Sequence, residues 1–381
     1  MSIRPFTIAV AQARLDWIER RLDEAQWPEP IEDPDPWAHG TNIAVLRELV
    51  GHWRDHYDWR TREAAMNRFP QFLVDVEVDG IRHSIHLIHV IGRGAAPRPV
   101  LITHGWPGSF VEFLDVIGPL TDPTAHGGEA SDAISVVIPS LIGYGFSSRP
   151  SRPLGPRTIA RAFDAAMATL GYRNYVAQGG DWGASVSSWL GYEGSGCSAV
   201  HLNFTLGWNN PEARPETAEE IATMTAIAAM WRTESGYMAI QSTRPQTLAC
   251  AMADSPLGVA AWILEKFHRW SELPSGDLWA IHSRERIIDN IMIYLGSGSF
   301  DSASWLYRGV LDEPVPPGAR VLRPVAVANF PGELARLPRS MVEKSCNVVR
   351  WSELPRGGHF AALEQPGLFV AELRDFLRSL R

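Results

Sequence analysis

The order of apolar and polar positions gives the chain several textures. Over residues 11–25, Leu15, Ile18 and Leu22 fall three and four apart, which predicts an amphipathic helix. Prolines 28, 30, 34 and 36 end it, and a second helical stretch is predicted over 43–53. Phe72, Val74, Val76 and Val78 then alternate up to Asp79-Gly80, and Ile85, Leu87, His89 and Ile91 alternate beyond it. That pattern predicts an antiparallel hairpin. From Pro97 onward short continuous apolar runs appear at 100–102, 134–138 and 175–177, as in strands buried on both faces. Ile159, Phe163, Met167 and Leu170 share one helical face between the last two runs. Strands alternating with helices imply an α/β fold with a mainly parallel, doubly wound sheet. Residues 199–203 read as a further strand. Thr205 to Val321 is helical in pattern, rich in Trp and Met, and reads as an inserted lid. Strand texture returns at 325–328 and 346–351, and a last helix carries Phe369, Leu373, Phe376 and Leu380. Four segments result: 1–96, 97–204, 205–321 (helical lid) and 322–381.

Composition narrows the function. The net charge of −8, with both signs interspersed, argues against a nucleic-acid partner. Cys197, Cys250 and Cys346 have neither metal-ligand nor redox spacing and read as free thiols in a reducing compartment. The start of the chain is unlike a signal peptide, and no run of about 20 apolar residues occurs. A cytoplasmic enzyme without a membrane anchor is the expectation.

Gly179-Gly180-Asp181-Trp182-Gly183 stands between a predicted strand and a helix predicted to start near Ala184. This is the nucleophile-elbow pattern, with Asp where lipases and esterases carry Ser. A carboxylate needs no base to activate it, and it attacks an sp³ carbon to give an alkyl ester. Epoxides and alkyl halides are substrates of that kind. An Asp capping a helix at a glycine turn is the structural alternative. Gly357-Gly358-His359 follows the last predicted strand, where this fold places its histidine. His359 is thus the candidate base for the water that hydrolyses the ester. Of the loops following strands, one offers Asn203, which cannot carry a charge, and another offers Glu333, the choice for the acid that orients the imidazole. His104-Gly105-Trp106-Pro107-Gly108-Ser109 is the candidate oxyanion loop. The N–H groups of Trp106 and Trp182 are the expected donors, and the Trp106–Pro107 bond is a candidate cis peptide. Opening an epoxide also requires a proton donor. Tyr237 and Tyr307 in the lid could serve; by spacing alone they are two of eight tyrosines, and aromatic core packing is the commoner explanation of such residues.

Taken together these motifs resemble epoxide hydrolases of the microsomal and juvenile-hormone type over nearly the whole chain. The resemblance is carried by Tyr57-Asp58-Trp59-Arg60 and Phe69-Pro70-Gln71-Phe72, by 104–109, 179–183 and 330–334, by Gly357 to Ala362, and in the lid by 234–238 and 254–258. It implies an α/β-hydrolase fold with 1–96 wrapping the core. It also implies Asp181 as nucleophile, Glu333 and His359 as the water-activating pair, and Tyr237 and Tyr307 as paired epoxide-activating phenols. Trp106, Trp182 and the two tyrosines would contact substrate. Microsomal members begin with a membrane anchor, and no such anchor is expected here, so the resemblance is to soluble bacterial relatives, some of which act in natural-product biosynthesis. No cofactor and no metal is implied. The expected partners are a small-molecule epoxide and water, with a homodimer the default assembly. A haloalkane or haloacid dehalogenase would share the Asp nucleophile but not the phenols, and a non-catalytic binding protein would not need all of Asp181, Glu333 and His359. The Trp-rich lid suggests an aryl or bulky apolar epoxide, unless most of those rings are lid core.

Overall fold

The continuous apolar runs become the middle strands of one sheet. The structure, a computed structural model, describes residues 2–205, 208 and 213–380. The strands are β1 (Ser2–Phe6), β2 (Gln71–Val78), β3 (Ile81–Val90), β4 (Arg98–Thr103), β5 (Ile134–Pro139), β6 (Tyr175–Gly179), β7 (Cys197–Leu202), β8 (Val321–Asn329) and β9 (Cys346–Glu353). Their spatial order is β1-β2-β3-β5-β4-β6-β7-β8-β9. β1, β2, β3 and β5 pair antiparallel, and the remaining neighbours are parallel. Val100, Ile102, Val136, Ile138, Val176 and Ala177 are fully buried, as expected of strands covered by helices on both sides.

Several elements differ from the expectation. β1 has no sequence signal, since four of its five residues are exposed and Pro5 interrupts it; it is an edge strand held by β2. β3 ends at Val90, which leaves Ile91 exposed. The helix after β6 starts at Asp181 itself and not near Ala184. β8 starts at Val321, one residue before the expected lid boundary. The helix Trp59–Met66, not predicted, begins at Asp58, whose carboxylate accepts from the N–H groups of Arg60 and Thr61. Among the described residues no single helix is long and apolar enough to cross a membrane.

The N-terminal region is tied to the rest of the fold through a buried carboxylate. Asp289, in the helix Arg284–Ser297, is completely buried. It accepts from Arg62 Nε at 2.9 and 3.1 Å, from Arg62 Nη2 at 2.5 Å and from the Tyr57 hydroxyl at 2.9 Å. The next residue, Asn290, donates to the Pro107 carbonyl at 2.7 Å and accepts from the Ser109 hydroxyl at 2.7 Å. One turn on, the Tyr294 hydroxyl donates to the Gly108 carbonyl at 2.7 Å. One helix therefore holds the N-terminal region on one side and the 104–109 loop on the other. Replacing Asp289 by Ala strands a partly exposed guanidinium. Chemical denaturation should show a loss of about 3 kcal/mol, the low end for a broken buried ion pair because water reaches Arg62. An unchanged midpoint would mean that this pair does not fasten the region.

Candidate active site

The parallel strands bring the sequence motifs to one sheet edge, at the carboxyl ends of β4, β6, β8 and β9. β6 ends at Gly179, and the chain turns through Gly180 into the helix Asp181–Glu193. Asp181 sits at φ 47°, a left-handed conformation costly for a residue with a Cβ. The turn packs against its surroundings without room for side chains: a Cβ on Gly179 would strike the Gly183 carbonyl, and one on Gly183 the Thr103 carbonyl. The strained turn thus presents the Asp181 carboxylate above the sheet.

Two groups engage that carboxylate from opposite sides. The Trp106 N–H donates to Oδ1 at 2.8 Å. His359 Nε2 lies 3.4 Å from Oδ2. The Trp106–Pro107 peptide is cis, as anticipated. Trp182 is the second residue of its helix, so its N–H has no acceptor within the helix. His104 braces the loop from below: its Nδ1 meets the Gly105 carbonyl at 2.9 Å and its Nε2 accepts from the Leu141 N–H at 3.2 Å. Burial pushes His104 down to about 4, so it is neutral.

His359 is joined to Glu333 through Nδ1 and Oε1 at 2.8 Å, and Glu333 is also held by the Leu334 N–H at 2.7 Å. Burial by itself would lower the imidazole pKa, but the charge of Glu333 and the contact with Asp181 raise it well above its ordinary value. The loop bearing His359 is fastened to the lid. Its own N–H donates to the Trp270 carbonyl at 2.9 Å. Glu364 gathers the N–H groups of Glu272, Gly358 and Phe360 at 2.8–2.9 Å. Burial nevertheless lifts Glu364 to about 7.

Above the carboxylate the lid closes with aromatic rings. Tyr237 stacks on Trp106, centroids 4.9 Å apart and planes 8° from parallel. Tyr307 stands edge-on to Trp182 at 4.8 Å and to Trp106 at 5.8 Å. The two phenols are 5.6 Å apart between centroids. The Tyr307 hydroxyl is buried without a hydrogen-bond partner among the described residues. Burial, reinforced by the charge of Asp181, raises both hydroxyls above the ordinary phenol range; Tyr237 adds to the rise of Tyr307, while the contact with Tyr307 offsets part of the rise of Tyr237. All seven residues singled out in the sequence therefore meet in one place. Sequence reasoning did not single out Lys266, whose ammonium lies 4.7 Å from the Tyr237 ring centroid, or Asn290, Tyr294 and Glu112. Of the lid tryptophans, Trp270 borders the site, 5.1 Å from the His359 ring and 5.3 Å from Tyr237. Trp208 packs on Trp189 and Tyr192, Trp305 lies under Arg149, and Trp279 bonds to Glu48. Those three are packing residues away from the phenols.

Residues 3–113 match the family description "Epoxide hydrolase N terminus", and residues 98–222 match "alpha/beta hydrolase fold". Epoxide hydrolase 1 of Sus scrofa is 33% identical over 99% of this chain and 88% of its own length. The chain belongs to the epoxide hydrolase family. A Stigmatella aurantiaca protein bearing the epoxide hydrolase name is 43% identical over 100% of this chain and 86% of its own length. The juvenile hormone epoxide hydrolase of the silkworm Bombyx mori superposes with a TM-score of 0.87 at 29% identity, over 100% of this chain and 94% of that one. Epoxide hydrolase activity and the α/β-hydrolase fold follow from this membership.

Proposed function

We propose that the protein converts an epoxide to a vicinal diol in two covalent steps centred on Asp181. The observation that carries this reading is the Asp181 carboxylate on its strained turn, with the Trp106 N–H at 2.8 Å from one oxygen and the Glu333-backed His359 at 3.4 Å from the other. Oδ1 stays with the backbone donor and Oδ2 attacks a ring carbon. The C–O bond of the oxirane breaks, its electron pair moves to the ring oxygen, and Tyr237 or Tyr307 supplies the proton. The raised pKa of both phenols keeps them protonated until that moment, and an alkoxide is the stronger base.

Water then attacks the ester carbonyl carbon and loses a proton to His359. The Trp106 and Trp182 N–H groups hold the oxyanion. Collapse breaks the bond to the diol oxygen and regenerates Asp181. The two protons of the water end on the second hydroxyl and on the phenolate left by the first step, so the sum is epoxide plus water to diol. Forming the ester also removes the negative charge of Asp181 beside His359. The imidazole pKa then falls toward its ordinary value, and a group held as imidazolium in the free enzyme becomes a base once the intermediate exists.

An aryl or bulky apolar epoxide is the proposed substrate class, supported by Trp106, Trp182 and Trp270 around the phenols. Tyr237 also borders a surface cavity of about 560 Å³ shared with Trp37, Trp262, Lys266 and Arg269, which is the proposed approach for substrate. A single turnover in ¹⁸O-labelled water distinguishes this chemistry. Excess enzyme should release first-turnover diol without label and keep ¹⁸O in the peptide that contains Asp181. Label appearing in the diol and not in the protein would mean direct attack of water on the epoxide.

A further inference from the structure

A second carboxyl group lies beside the reacting atoms. Glu112 belongs to the single helical turn Phe110–Phe113 that follows the 104–109 loop. Its side chain folds back under that loop. A Cβ on Gly108 would collide with Glu112 Oε1, and one on Gly105 would collide with Asp181 Oδ1. The glycines of the loop thus make room for two carboxyl groups. The Ser109 backbone N–H favours the charged form of Glu112, at the spacing of a capping arrangement. Glu112 also lines a cavity of about 20 Å³ together with Thr103, Gly105, Asp181, Asn203 and His359. That is room for a single water molecule, roughly one probe sphere. Neither Tyr237 nor Tyr307 borders this cavity, so it lies apart from the phenol side of Asp181. Thr103 Oγ1, on the cavity wall, is buried without a hydrogen-bond partner in the described structure.

We propose that this cavity seats the hydrolytic water and that Glu112 is its positioning residue. The assignment rests on the two-step reading given above. Water must approach the Asp181 carbonyl carbon while one of its O–H bonds points at His359 Nε2. Of the titratable side chains lining the cavity, Asp181 becomes the ester, His359 takes the proton, His104 is engaged by the Gly105 carbonyl and the Leu141 N–H, and Glu112 is left to hold the second O–H. In its uncharged form the Glu112 carboxyl keeps a carbonyl oxygen, and that oxygen accepts from the water. The bond that forms is from water oxygen to the carbonyl carbon, and the proton that leaves goes to His359; Glu112 neither gains nor loses one. Burial, with a smaller contribution from the charge of Asp181, lifts Glu112 to about 8. It is therefore largely uncharged at neutral pH and does not compete with His359 for the proton or repel Asp181.

The competing explanation is that Glu112 merely caps its turn. Rapid-quench measurement of both half-reactions with styrene oxide separates the two. Glu112→Gln keeps the shape and a carbonyl acceptor; Glu112→Leu keeps the bulk without an acceptor. Alkylation should stay within twofold of wild type in both variants, while ester hydrolysis stays near wild type with Gln and slows about tenfold or more with Leu, where ester accumulates. Hydrolysis at the wild-type rate in the Leu variant would overturn the assignment. So would equal slowing of both steps in the Leu variant, which marks a structural role. Absence of any covalent ester in the wild type would instead refute the two-step reading itself.

Discussion

Replacing Asp181 by Ala lowers diol formation from racemic styrene oxide by ~10⁴-fold or more, the order of loss seen when a covalent nucleophile is removed. The size of the effect follows from the absence of a substitute in the geometry. Glu333 is engaged by His359 and the Leu334 N–H. Glu112 faces the small cavity and not the phenols. Ala keeps the Cβ and hence the φ 47° strain of the turn, so the melting temperature should move by only a few degrees. Chiral chromatography of the diol, for wild type beside the variant, reads the result. Diol at the wild-type level from the variant would remove Asp181 from the chemistry. Loss of diol together with a collapsed melting transition would trace the effect to folding, and in that case Asp181→Asn, which keeps the side-chain shape, becomes the comparison.

Much of this site could be read from the sequence because it lies in short stretches whose neighbours in the chain are also neighbours in space. Asp181 is legible because strained turns impose glycine at 179 and 183, and His359 because it follows two glycines after the last strand. The strands buried on both faces announce themselves as Val- and Ile-rich runs. What was not legible depends on contacts between distant segments. β1 is exposed and gains its identity only from pairing with β2. Asp289 and Asn290 look like ordinary polar residues of a helix. They are buried because Arg62 and Ser109, more than 180 residues away, supply their partners. Glu112 had a local sign, the Ser109-x-x-Glu112 capping spacing directly after the oxyanion loop, but spacing alone cannot say that the carboxyl turns toward Asp181. Lys266 at the Tyr237 ring had no sign, because a lysine in an amphipathic helix is normally solvated. The tyrosines were ambiguous for the same reason: the sequence does not show which aromatic residues of a lid point at the sheet.

Replacing His359 by Gln should separate the two steps. In the free enzyme the imidazole lies between Asp181 and Glu333, whose charges hold its pKa well above the ordinary value, so it is not the base at that stage. Alkylation therefore does not need it, and a burst approaching one ester per active site should survive the substitution. Hydrolysis does need it, and should slow by ~10²–10⁴-fold, the usual range for a lost general base. Intact-protein mass spectrometry after quenching would then show the mass of one epoxide added to the variant. The pH dependence carries the sign of the argument. In wild type, hydrolysis rises with pH through the pKa of His359 in the ester state, which lies below that of the free enzyme because one neighbouring charge has gone. In the variant that rise disappears. The same raised pKa has a counterpart in stability. A histidine protonated more readily in the folded than in the unfolded state stabilises the fold fully below the unfolded value of about 6.5. That contribution fades as pH climbs through the folded value, so the stability gap between wild type and variant should narrow at high pH. Full turnover by the variant, or a burst with no ester on the protein, would show that another group activates the water.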